Sequence, residues 1–157
     1  MSRVLIIGFG NPLRSDDGVG WRAAEELKHK LSGRGVEVIT RHQLTPELAD
    51  AVSRSAVVFF VDAQYGVPGT VTCSRVRPQA PTDAFSHQLS PASVLGLAQE
   101  LYGQAPHAFT FSICGECFDV GEALSPQVTE NISDLVARVA AMACAPGIDS
   151  PTRRQPR

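Results

Sequence analysis

The chain has 157 residues, of which 43% are hydrophobic and 19% are charged, and its formal net charge is −2. These values are typical of a globular protein with one domain, and a chain of this length can bury enough surface to fold without disulfides or structural metals. The near-neutral charge provides no electrostatic footprint for nucleic acid or an anionic membrane surface, so we expect neither as a partner. No apolar stretch approaches the roughly 20 residues that a membrane helix needs.

The N-terminal sequence and the cysteines indicate where the protein works. The apolar run Val4–Ile7 precedes a glycine and is too short for the core of a signal peptide. We therefore expect a cytoplasmic protein, in which cysteines stay reduced and form no disulfide framework. The four cysteines are Cys73, Cys114, Cys117 and Cys144.

The apolar pattern predicts strands that alternate with helices. Short runs rich in Val, Ile and Phe predict buried strands, whereas apolar residues at helical spacing predict helices that begin at capping residues, prolines or glycines. The predicted strands are Val4–Ile7, Val36–Thr40, Ala56–Val61, an edge strand Thr70–Val76, and Ala108–Ile113. The predicted helices begin near Gly18, Thr45, Ser90 and Ser125. The segment Arg77–Phe85 has no periodicity and is predicted to be a loop.

This order of elements predicts a single α/β domain over residues 1–144. Its mostly parallel sheet should have about five strands and be covered by helices on both faces. Residues 145–157 are rich in proline and arginine and contain almost no apolar side chains. We predict that these last residues form a disordered tail.

The loop after the first strand contains two glycines and is followed by two acids. A dinucleotide-binding turn is poorly supported because Leu13 occupies the position of the third glycine, and no Gly-Lys-Ser/Thr follows to make a phosphate-binding loop. Asp16 and Asp17 precede a helix, where an acid can act as a cap worth up to ~1 kcal/mol. One carboxylate suffices for a cap, so the second is available for a ligand.

Asp62 and two histidines are further candidates for a site. Asp62 follows the most hydrophobic run of the chain, and ligands of open α/β sheets bind beyond the carboxyl ends of the strands, so it is either a turn cap or a functional acid. His87 precedes a helix, where a lone histidine is often structural or solvated. His42 lies in a similar His-Gln-Leu-Thr-Pro segment and is a rival candidate. Two carboxylates and an imidazole suit a borderline divalent cation.

The glycine and aspartate pattern resembles the signature of the hydrogenase maturation proteases. These nickel-dependent endopeptidases trim the C-terminal peptide from the large subunit of nickel-iron hydrogenases. The resemblance continues through Asp62-Ala63, Pro68-Gly69 and a later histidine, and it covers roughly residues 3–140. The first motif reads Gly8-x-Gly10-Asn11-x-Leu13-x-x-Asp16-Asp17-Gly18-x-Gly20.

The resemblance implies a three-layer α/β/α sandwich and a specific site. It assigns Asp17, Asp62 and His87 as the catalytic and metal-contacting residues. Asp16 matches the neighbouring acid of the family motif and is interpreted as a cap or a supporting group. The resemblance further implies that nickel is supplied by the substrate, with no permanently bound cofactor, and that the partner is a hydrogenase large-subunit precursor.

Two loops depart from the family pattern. Arg41–Thr45 replaces an Asp-Gly-Gly-Thr stretch, and Ile113–Cys117 replaces an apolar-Gly-x-x-Pro segment. The second change introduces Cys114-x-x-Cys117, which we interpret either as small apolar residues at a strand end or as an additional soft metal-binding point. These departures motivate one alternative, a non-cleaving paralogue that binds metal or an assembly partner. The loop after the first strand, with its two glycines, leaves a second alternative, a nucleotide-binding enzyme.

Overall fold

A five-stranded sheet forms the centre of the molecule. The computed structural model describes residues 4–80 and 89–148. Its strands are β1 (Val4–Phe9), β2 (Val36–Arg41), β3 (Val57–Gln64), β4 (Val71–Val76) and β5 (His107–Cys114). Their order is β2-β1-β3-β5-β4, and all neighbours are parallel except β4, which runs antiparallel to β5 at the edge. The predictions of a mostly parallel sheet and of an edge strand at Thr70–Val76 are confirmed.

Helices cover both faces of this sheet. The described α-helices are α1 (Val19–Lys30), α2 (Leu48–Ser53), α3 (Pro91–Tyr102) and α4 (Pro126–Ala143). Because successive strand residues point to opposite faces, Ile6 and Phe59 pack with α1 and α4, whereas Ile7 and Phe60 pack with α2 and α3. All four side chains have no exposed surface. The predicted three-layer α/β/α sandwich is therefore confirmed.

The predicted loop and tail are only partly described. The loop Arg77–Phe85 is described as far as Ala80, where it has no regular structure. At the other end, residues 145–148 continue α4 as a turn, and Ile148 packs against the core. Residues 149–157 lie outside the described residues. In the part of the chain that the structure describes, no helix is long and apolar enough to cross a membrane.

Two glycines bring the start of α1 directly onto the sheet. A Cβ atom on Gly8 would collide with the backbone carbonyl of Gly20. A Cβ atom on Gly20 would lie 2.6 Å from the Val61 carbonyl oxygen and 2.8 Å from that of Phe9. Helix and strand backbones thus touch without an intervening side chain, which sets the residues before α1 at the carboxyl ends of β1 and β3.

We predict that Gly20→Ala destabilises the fold. The new methyl group would meet backbone oxygens that cannot rotate away, so we expect a loss of about 1–3 kcal/mol or more in the free energy of unfolding. Urea unfolding of the variant and the wild type measures this loss. Arg22→Ala, an exposed position on the same helix, is the control and should change stability little. Equal stability of Gly20→Ala and the wild type would contradict the close packing.

Candidate functional site

Asp17 lies in a four-residue 3-10 helix, Ser15–Gly18, which we call the aspartate turn. The Asp17 carboxylate Oδ2 accepts a hydrogen bond of 2.8 Å from the backbone N–H of Asn11. Gly10 has a φ of +137° and lies against the Asp17 carbonyl, where a Cβ atom would collide. The segment Gly8–Asn11, which we call the glycine loop, therefore contacts Asp17 and holds its half-buried carboxylate at the end of β1.

Asp62 lies near the carboxyl end of β3, in register with Ser112 of β5. The sequence predicted that the strand stops at Asp62, but β3 continues to Gln64 because β5 extends beside it to Cys114. The Ser112 hydroxyl donates a hydrogen bond of 2.6 Å to Asp62 Oδ1. Asp62 is thus a strand residue with a fixed orientation, and a turn cap is not its role.

The two carboxylates influence each other electrostatically. Burial raises the pKa of Asp62 to about 6; the Ser112 hydrogen bond opposes this rise, and the negative charge of Asp17 adds to it. A like charge acts in this way only when it lies close in a poorly screened environment. The aspartate turn, which carries Asp17, packs against β3, so Asp17 and Asp62 both lie at this edge of the sheet.

The histidine of the predicted trio lies outside the described residues. His87 belongs to residues 81–88, so its assignment remains a prediction. Within residues 4–80 and 89–148, no three side chains of His, Cys, Asp or Glu lie close enough together to hold a metal ion. The structure describes Asp17 and Asp62 but not His87, and the assignment of all three residues to a metal site stays a prediction.

His42, the rival histidine, packs on an aromatic ring. Its ring lies edge-on to Trp21 of α1, with 5.2 Å between the ring centroids. The Trp21 indole N–H donates to the carbonyls of Gly10, at 2.9 Å, and Arg41, at 3.2 Å. The loop after β2, whose sequence departs from the family pattern, is thus anchored to the glycine loop. Among the described side chains, however, His42 forms no metal-binding group with the two acids.

Asp16 does not cap the helix that follows it. Its side chain is fully buried and accepts hydrogen bonds across the fold, whereas neither the aspartate turn nor α1 has a side-chain cap. Burial alone would raise the pKa of Asp16, but the hydrogen bonds from Cys117, Ser125 and Glu116 outweigh it and lower the pKa below its ordinary value. The cap interpretation is wrong for Asp16, and the interpretation as a supporting group fits these contacts.

The two cysteines of the Cys-x-x-Cys motif have different surroundings. Cys114 is buried at the end of β5, and its thiol lies 3.7 Å from the Tyr65 carbonyl oxygen. Cys117 is partly exposed, with its thiol 3.8 Å from the Asp119 carboxylate. Because no described metal-binding group includes them, the geometry favours the interpretation of Cys114 as a small apolar residue at a strand end.

The raised pKa of Asp62 predicts how pH changes stability. The folded state binds the Asp62 proton more tightly than the unfolded state, so stability falls as the pH rises from about 4 through about 6. Asp62→Asn removes this charge. The variant should be more stable than the wild type by about 1–3 kcal/mol at about pH 7.5, and the gain should vanish below about pH 4.

Urea unfolding at both pH values tests this prediction. Glu122→Gln, which removes an exposed carboxylate near the same loops, is the control and should leave stability nearly unchanged at either pH. A variant Asp62→Asn that is less stable than the wild type near neutral pH, or equally stabilised at both pH values, would contradict the account of Asp62.

One curated relative resembles the chain in sequence. No family model matches the chain. This chain is 30% identical over 142 residues to the hydrogenase expression/formation protein HupD of Thiocapsa roseopersicina. The match covers 85% of this chain and 64% of the relative, so the chain spans less than two thirds of that protein's length.

Solved structures share the fold. The hydrogenase maturating endopeptidase HybD from E. coli superposes with a TM-score of 0.70 at 24% identity, covering 88% of this chain and 90% of HybD. The NiFe hydrogenase maturation protease HycI from Thermococcus kodakarensis KOD1 gives a TM-score of 0.70 at 23% identity, with the same coverage of 88% and 90%. These likenesses in sequence and in fold agree with the resemblance of the glycine and aspartate motif to that of the hydrogenase maturation proteases.

Proposed function

We propose that this chain, as a member of the hydrogenase maturation protease family, is an endopeptidase that removes the C-terminal extension of a nickel-iron hydrogenase large subunit after nickel insertion. The observation that carries this proposal is the pair of neighbouring carboxylates, Asp17 and Asp62, at the carboxyl edge of the sheet. Both belong to the motifs that resemble the family. The names of the sequence relative and of the structural neighbours agree with this function.

The charge distribution of the pair favours a cation. Burial, and to a lesser extent the charge of Asp17, raises the pKa of Asp62, and a nearby positive ion would oppose that rise by favouring the charged form. Carboxylate oxygens, joined by an imidazole nitrogen, are suitable ligands for a borderline divalent metal such as nickel. We infer that His87 supplies this nitrogen, because the resemblance to the family assigns it that role.

In this proposal the nickel arrives with the substrate. The immature large subunit presents the metal on its own thiolates, and Asp17, Asp62 and His87 bind it from the opposite side. Binding places the peptide bond to be cleaved at the edge of the sheet, so the substrate's metal is the recognition element. Three protein ligands leave coordination positions for those of the partner. Cleavage would then occur only after nickel has been loaded into the large subunit.

Cleavage of a nickel-loaded precursor tests the proposal. We expect the wild type to shorten the precursor on a gel, and to leave the same precursor intact when it lacks nickel. Asp17→Asn and Asp62→Asn should each lower the rate at least about tenfold, because loss of even an indirect partner of a metal ligand has effects of that size. Glu122→Gln, an exposed acid outside the pair, is the control and should cleave at the wild-type rate.

Two outcomes would contradict separate parts of the proposal. Full activity of Asp17→Asn would contradict its role in binding the substrate's nickel. Failure of the wild type to cleave any of several nickel-loaded precursors, while still co-eluting with one of them, would favour the alternative of a non-cleaving paralogue. The altered loops at His42 and at Cys114–Cys117 motivate that alternative, because both border the glycine loop or the aspartate turn.

A further inference from the structure

We propose that Asp16 is a positioning residue that fixes Asp17 by tying the aspartate turn to residues 115–125, which we call the cysteine loop. The inference rests on the proposed role of Asp17 in the site. Asp16 itself has no exposed surface and cannot meet a substrate. Its effect would therefore pass through the backbone that it shares with Asp17.

The Asp16 carboxylate accepts four hydrogen bonds. Its Oδ2 accepts from the backbone N–H groups of Glu116, at 2.8 Å, and Cys117, at 3.0 Å, and from the Ser125 hydroxyl, at 2.7 Å. Its Oδ1 accepts from the Ser125 N–H at 2.7 Å. Hydrogen bonds to a charged acceptor are about twice as strong as neutral ones, so this carboxylate joins two distant parts of the chain firmly.

The aspartate turn cannot hold its own conformation. It has only four residues and no side-chain cap. Ser15 has a φ of +52°, in the left-handed region that costs a residue with a side chain roughly 1–2 kcal/mol. A segment of this kind persists only when its surroundings determine it. The contacts that hold it must therefore come from outside the turn.

The cysteine loop provides those contacts. Asp16 and Cys117 form a two-way pair, since the Asp16 N–H also donates to the Cys117 carbonyl at 3.0 Å. The Ser15 N–H donates to the Gly121 carbonyl at 2.7 Å, and the Ser15 hydroxyl donates to the Asp119 carbonyl at 2.8 Å. The position of the turn is thus determined by a loop that lies about a hundred residues away in sequence.

Close packing leaves little freedom between the two segments. A Cβ atom on Gly115 would lie 2.8 Å from the Cβ of Asp16 and 2.7 Å from the ring of Phe118. Ser125, which donates two hydrogen bonds to the Asp16 carboxylate, is the residue that precedes α4. The carboxylate therefore connects the turn to both the end of β5 and the start of α4.

Asp17 is positioned by the same turn. Its own N–H donates to the Arg14 carbonyl at 3.1 Å, and its carboxylate accepts from the Asn11 N–H at 2.8 Å. With the Asp16 side chain held in the interior, Asp17 presents its carboxylate to the Asn11 N–H. The Asn11 amide therefore reports whether Asp17 is in place.

Hydrogen exchange of the Asp16→Asn variant tests the inference. An amide group keeps one acceptor oxygen but turns an NH₂ donor toward N–H groups, so part of the network must open. We expect the Asn11 amide to exchange at least about tenfold faster than in the wild type, while amides of β1 and β3 keep their wild-type rates. A purely structural role would not produce this local change.

Variants at Ser125 keep the test decisive if Asp16→Asn does not fold. Ser125→Ala removes one hydrogen bond donor and should accelerate exchange at Asn11, whereas Ser125→Thr retains the hydroxyl and should restore the wild-type rate. Glu122→Gln removes a neighbouring charge outside the network and is the matched control. Unchanged exchange at Asn11 in Ser125→Ala, or uniform acceleration throughout the sheet, would overturn the inference.

The exchange measurement does not depend on the proposed reaction. A wild type without cleavage activity would contradict the proposed function and leave the exchange result valid. Fast exchange at Asn11 combined with undiminished cleavage by Asp16→Asn would support the positioning of Asp17 by Asp16, and it would contradict a need for Asp17 in the reaction.

Discussion

The contact between the first turn of α1 and the backbones of β1 and β3 determines where the site forms. Gly8 and Gly20 permit this contact, because any side chain there would meet a carbonyl group. The chain that connects β1 to α1 must then turn within a few residues at the carboxyl edge of the sheet. Asp17 consequently arrives beside Asp62, which β3 and β5 hold at the same edge.

The site and the surrounding fold have opposite electrostatic requirements. Asp16 is buried among donors that favour its charge, so it stabilises the loops around the site. Asp62 is buried near Asp17 and has one hydroxyl donor, so its charge is disfavoured. The two buried acids thus have different physical roles. This division is typical of functional sites, where local stability is lost in favour of binding.

Much of the fold follows from apolar pattern alone. The strands around Val4–Ile7 and Ala56–Val61 are buried on both faces, so their runs of apolar residues identify them directly. Strand ends are less predictable, since the extension of β3 past Asp62 depends on its partner β5. Likewise α2 begins at Leu48, after a turn at Thr45–Glu47, although the cap and proline predicted an earlier start.

The candidate site is only partly predictable from sequence. Asp17 and Asp62 lie in recognisable motifs, and the direction of parallel strands places them at one edge. The role of Asp16 could not be deduced, because its partners Glu116, Cys117 and Ser125 approach only through the folding of β5 and α4 onto the sheet. The aromatic contact of His42 with Trp21 could not be deduced either, since it joins α1 to the loop that follows β2.

A carboxyl NMR titration of Asp62 tests the central claim most directly, which is that Asp17 and Asp62 form one electrostatic unit. In the wild type, the pKa of Asp62 should lie at about 6, and in Asp17→Asn it should be lower because the neighbouring charge is gone. An ordinary pKa of Asp62 in the wild type, or a raised pKa that does not change in Asp17→Asn, would contradict the paired site.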